Sequence, residues 1–155
     1  MTSTSGSSTS PDDGAAVAAR SRARAPRRVA DDQLDYDSEL TFTYRGELFT
    51  GVCYEQMADG RYSELAYVDG VQHGWAREWS ASGLLQSETE YRRGMPHGDE
   101  RSYDEEGFLV RAATFEHGVT VRSETYDRSG AVVEAFEIGP DDPYFDLLQR
   151  RRAQA

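Results

Sequence analysis

At 155 residues, 37% hydrophobic and 11% aromatic, the chain is long enough for one domain with a modest core and too apolar for disorder throughout. Its formal charge of −11 is uneven: residues 31–149 hold 26 acids against 9 arginines, a net of −17 that repels DNA, RNA and anionic lipid and attracts a basic partner or cations. All 17 basic residues are arginine, which excludes a Schiff-base lysine and a Walker phosphate loop, and the lone Cys53 allows no internal disulfide, so a cytoplasmic location is expected.

Three segments are expected in chain order: a disordered tail and acidic linker over 1–38, a repeat domain over 39–138, and a capping helix within 139–155. The first thirty residues are a Ser/Thr tract followed by an Ala/Arg tract with no periodic apolar face. Ala15-Ala16-Val17-Ala18-Ala19 is too short an apolar run for a signal peptide, and Arg27-Arg28 lacks the run that a twin-arginine signal needs, so an organelle transit peptide is the competing reading. Asp31 to Glu39 reads as a solvated linker. No later stretch is long and apolar enough to span a membrane as a helix.

From Thr41 the chain repeats itself. Tyr67-Val68-Asp69-Gly70-Val71-Gln72-His73-Gly74 is answered 24 residues on by Tyr91-Arg92-Arg93-Gly94-Met95-Pro96-His97-Gly98, and Phe115-Glu116-His117-Gly118 opens another copy. The opening aromatics are Tyr44, Tyr67, Tyr91 and Phe115; glycines follow seven residues later at 51, 74 and 98, with Arg122 breaking the column. A second glycine set, Gly60, Gly83, Gly107 and Gly130, gives two turns and hence two short strands per unit. Alternating apolar residues such as Leu109, Ala113 and Phe115, or Val132, Phe136 and Ile138, indicate strands of a half-buried sheet. A fixed period of this length means stacked units that bury their faces against neighbours. The prediction is an all-β, mainly antiparallel meander of about eight strands, a single elongated sheet of stacked β-hairpins. Asp142-Pro143 then starts a helix over 143–152, with Tyr144, Phe145, Leu147 and Leu148 on its apolar face, expected to cover an exposed sheet edge.

Units of the form Tyr-x-x-Gly-x-x-His-Gly, an aromatic, Gly and Glu-x-x-Tyr, as from Tyr67 to Tyr91 with Gly83 and Glu88, resemble the MORN-repeat-variant family over residues 41–138, and within it the bacterial YwqK-family antitoxin group. The resemblance implies a single-layered sheet of hairpins, no enzymatic activity, no cofactor, and a role in binding other macromolecules, in the antitoxin group by direct contact with a toxin. It also marks Tyr67, Gly70, Gly74, Gly83, Tyr91, Gly94, Gly98, Gly107, Phe115 and Gly118 as repeat-structural positions.

In a meander, His73 and His97 lie two strands apart, about 10 Å, too far to share one ion, and His117 sits in another column, so all three read as turn-supporting. Cys53 between Val52 and Tyr54 reads as a small buried residue, and the acids Asp99, Glu100, Asp104, Glu105 and Glu106 as a solvated, partner-attracting edge without calcium-loop spacing. Trp75 is not demanded by its column, which reads Val52, Trp75, Asp99 and Ser123. It shares parity with Arg77 and Trp79, and these three with Tyr103 form the candidate partner-binding patch. The expected function is non-catalytic binding of a basic protein partner, with a structural assembly module as the alternative.

Overall fold

In a computed structural model, residues 27–155 are described, and the tail and leader-peptide readings of residues 1–26 lie outside them. The main sheet is open and has nine strands: β1 (Arg28–Ala30), β5 (Gly51–Gln56), β6 (Tyr62–Val68), β7 (Val71–Trp79), β8 (Leu85–Arg92), β9 (Met95–Tyr103), β10 (Leu109–Glu116), β11 (Val119–Tyr126) and β12 (Val132–Glu137), in that spatial order. From β5 to β12 each strand pairs antiparallel with the next, the predicted meander. A three-stranded sheet of β2 (Asp35–Tyr36), β3 (Phe42–Tyr44) and β4 (Glu47–Leu48) lies in the chain between β1 and β5.

The two glycine columns form two kinds of turn. Asp69-Gly70, Arg93-Gly94 and His117-Gly118 have both central residues at positive φ, near 50° and 76–80°, the type I′ geometry whose twist matches a two-residue hairpin. The glycine N–H of each turn donates to the preceding unit: Gly70 to Phe49 O, Gly94 to Gln72 O and Gly118 to Pro96 O, each at 2.8 Å. That stitch joins hairpin to hairpin and accounts for the constant period. The alternate turns, closed by Gly60, Gly83, Gly107 and Gly130, bond back three residues at 2.9–3.0 Å. In the first copy, Arg45-Gly46 makes the I′ turn, so Tyr44 stands in the place of Val68 rather than of Tyr67.

Three expectations need correction. The linker over Asp31–Glu39 is partly regular structure: a 3-10 turn at Asp31–Gln33 and then β2, while Val29 of β1 is 4% exposed, so ordered chain begins before residue 39. β1 pairs in parallel with β5, Val29 opposite Cys53, and closes that edge of the sheet. The helix α1 (Phe145–Arg152) begins two residues later than predicted; the Asp142 carboxylate accepts the Tyr144 N–H at 2.8 Å but does not cap the helix. Nor does α1 cover the last edge, since all six residues of β12 are exposed, Val133 at 61%. The helix instead docks at the His117-Gly118 end: Leu148 is fully buried, Arg152 binds Glu116 through two bonds of 2.7 and 2.8 Å, and Arg151 donates to the His117 carbonyl.

Burial concentrates at one end of the sheet. Val29, Phe49, Cys53 and Tyr67 form the core cluster, with Leu34, Phe42, Tyr44 and Leu65 packed against it. The Phe42 ring lies 4.7 Å from that of Tyr67, and Phe49 5.8 Å from it. The middle strands are half-buried on both faces and are held by cross-strand pairs.

Candidate functional site

Alternate residues of a strand share a face, so Trp75, Arg77 and Trp79 of β7 project together. The Arg77 guanidinium lies 5.3 Å from the centre of the Trp75 ring, a cation–π contact. Trp79 sits opposite Tyr62 with ring centres 5.4 Å apart, and Tyr62 in turn lies 6.2 Å from Tyr54, so three rings run across β5, β6 and β7. Tyr103 falls on the same face but on β9, opposite Leu109 and with β8 between it and Trp79. The structure thus brings Trp75, Arg77 and Trp79 together and leaves Tyr103 at the margin. All four are half-buried.

Beside the aromatic row runs a line of charge of which the expected patch held only Arg77. Glu64, Arg77, Glu88 and Arg101 are successive register partners across β6 to β9, alternating in sign. Glu88, 9% exposed, accepts from Arg77 Nε at 3.2 Å and from Arg101 Nη1 at 3.0 Å, while Arg28 of β1 pairs with Glu64. The Arg28 bond holds the Glu64 carboxyl below the usual range. These residues occupy two repeat columns, Glu64 with Glu88 and Arg77 with Arg101, each 24 residues apart, which is the signal that could have revealed them.

The acid run around Tyr103 is dispersed into separate pairs: Asp99 with Arg101, Glu100 with Arg111, and Asp104 and Glu106 with Arg128. Asp104 also accepts the backbone N–H groups of Glu106 and Phe108, and the Phe108 bond leads in depressing its pKa. Among the described residues no three His, Cys, Asp or Glu converge as metal ligands. Cys53 is buried, and burial ahead of the nearby Asp31 and Glu55 pushes its thiol up to about 11, so it is no thiolate nucleophile at neutral pH. His97 and His117 meet with ring centres 4.9 Å apart, and His97 Nδ1 accepts the His117 N–H of the turn at 3.2 Å, the turn-supporting role expected of them.

The fold is an open, mostly antiparallel sheet built of stacked hairpins, and the candidate site lies on one of its faces. The chain is 31% identical over 125 residues to the Immunity protein YwqK of Bacillus subtilis (strain 168), covering 80% of this chain and 79% of that one, and it belongs to that family. No family model matches the sequence. A solved structure of accessory secretory proteins 1, 2 and 3 of Streptococcus pneumoniae is 14% identical and covers 74% of this chain and 20% of that chain, with a TM-score of 0.35, too low to define a shared fold.

Proposed function

We propose that the chain is a non-catalytic immunity protein of the MORN-like repeat type, which neutralises a toxin in the cytoplasm by binding it directly through the face of Trp75, Arg77 and Trp79, with Tyr103 at its rim. The observation that carries this reading is the stack of Arg77 on Trp75: a half-buried indole and a guanidinium fixed by Glu88 form an ordered aromatic–arginine anchor, the residue types enriched where interface energy concentrates. Kinship with a protein named as an immunity protein supports that role. The excess of acids, 26 against 9 arginines over residues 31–149, supports a basic partner steered toward that anchor. The exposed β12 edge favours a second reading, an assembly module that adds a strand from another chain.

The test is capture with tagged full-length chain from the native host, comparing wild type with Trp75→Ala, followed by expression of the captured protein alone and with each variant. Immunity predicts that the captured protein arrests growth, that wild type restores it, and that Trp75→Ala weakens capture by about tenfold or more. Undiminished capture by Trp75→Ala overturns the assignment of the face. A captured protein that is harmless when expressed alone overturns the immunity reading and leaves the assembly module.

A further inference from the structure

The I′ turns of neighbouring hairpins converge at one end of the sheet and, with α1, border an open cavity of about 510 Å³. Its polar walls are Arg92 and Arg93 at the β8–β9 turn, Arg151 from α1, His73, His97, His117 and Gln154, and Met95 and Ala155 complete the lining. Among the described residues no acidic side chain lines it, although acids outnumber arginines nearly threefold along residues 31–149. The adjacent carboxylate, Glu116, is taken up by Arg152 through two hydrogen bonds. Among the described residues Arg92 and Arg93 form no ion pair, and both are exposed toward solvent. On a chain this acidic, three arginines gathered in one concavity make it locally positive, with Glu116 and Glu90 the carboxylates whose charge reaches His97.

We propose that this cavity binds a phosphomonoester dianion. Guanidinium forks match phosphate oxygens two at a time, and donors that arrive from a hairpin turn and from a helix can engage different oxygens of a tetrahedral group, whereas one fork alone satisfies a planar carboxylate. The imidazoles add N–H donors beside the guanidinium groups. The volume suits a ligand of metabolite size, and none of Trp75, Arg77, Trp79 and Tyr103 lines the cavity, although His73 stands two residues from Trp75 on β7.

The experiment titrates the full chain by calorimetry and by NMR at constant ionic strength, chloride replaced, with inorganic phosphate, a nucleoside monophosphate and a phosphoserine peptide. Saturable binding is expected with a Kd of about 1 mM or tighter, weakened about tenfold in Arg92→Gln and unchanged in Arg61→Gln, which lies at an alternate turn. Binding of the free phosphates identifies a soluble metabolite as the source; binding of the phosphopeptide alone identifies a modified protein. Absence of saturation in every arm, or equal affinity in Arg92→Gln with an unchanged melting profile, overturns the proposal. Arg92 is exposed at the end of β8, so its substitution leaves the fold intact and the result readable.

Discussion

The backbone N–H of His117 donates to Nδ1 of His97 at 3.2 Å, and the two rings meet edge to face. An accepting Nδ1 carries no proton, so the His97 ring is neutral with its hydrogen on Nε2. Burial, then the charges of Arg92 and His117, depress its pKa, outweighing Glu116 and Glu90, while Arg93, Arg151 and His73 border the same space. Because the folded value lies below the unfolded one of about 6.5, the unfolded chain takes the proton first as pH falls. Stability from this contact is complete above that pH and lost below it. Thermal melts between about pH 7 and pH 5.5 should therefore fall more steeply for wild type than for His97→Gln. Parallel profiles would show that His97 does not carry the acid sensitivity.

Glu88 holds two arginines at once and is largely withdrawn from water, its side chain 11% exposed. Glu88→Gln keeps the shape and removes the charge that both guanidinium groups address. The expected loss is about 1–3 kcal/mol in chemical denaturation. Glu106→Gln is the comparison, because its partner Arg128 is 73% exposed and such pairs contribute about 0–1 kcal/mol. Equal effects of the two substitutions would mean that the charge line across β6 to β9 adds no more than an ordinary surface pair.

Gly51 lies where β1 crosses closest to β5. A Cβ there would stand 2.3 Å from the Arg27 carbonyl oxygen and 3.0 Å from the Phe49 ring, and that carbonyl already accepts the Val52 N–H at 2.8 Å. Neither neighbour can yield without loosening β1 or the core. Gly51→Ala is expected to cost about 1–3 kcal/mol and to speed hydrogen exchange at Val29 and Ala30. Gly83→Ala meets nothing within 4 Å and bears only its positive φ, a cost of about 1 kcal/mol with no change at β1. Slow exchange at Val29 in Gly51→Ala would separate β1 docking from this contact.

The hairpin stack was legible because each turn declares itself: Asp69-Gly70 and Arg93-Gly94 need positive φ at both positions, and their spacing is the spacing of the stitches. The Trp75, Arg77 and Trp79 grouping followed from strand parity alone. Parallel docking of β1 was hidden, since three residues are too few to show alternation and their partner lies more than twenty residues away. The histidine cluster was hidden for a different reason. Counting strands puts repeat columns in line, whereas the bond from Gly118 to Pro96 draws the His117 turn back against β9 and sets His117 beside His97. The helix was visible as an apolar face, but its seat was not, because Arg151 and Arg152 fix it to the β10–β11 turn through partners that no periodicity reports.

Cys53 tests whether the β1 end of the sheet opens on its own. The side chain sits among Val29, Phe49 and Tyr67, 4% exposed, and burial raises its thiol to about 11. Reaction with a thiol reagent needs both access and a thiolate, and the native fold withholds both. At about pH 8 the native chain should be labelled at least a hundredfold more slowly than the unfolded chain, with a rate that rises with denaturant in step with global unfolding. If labelling proceeds at low denaturant while far-UV signal from the hairpin stack is unchanged, β1 detaches as a local unit and the core cluster is not part of the cooperative fold. Gly51→Ala should then shift labelling further in that direction, because the two residues share the β1–β5 contact.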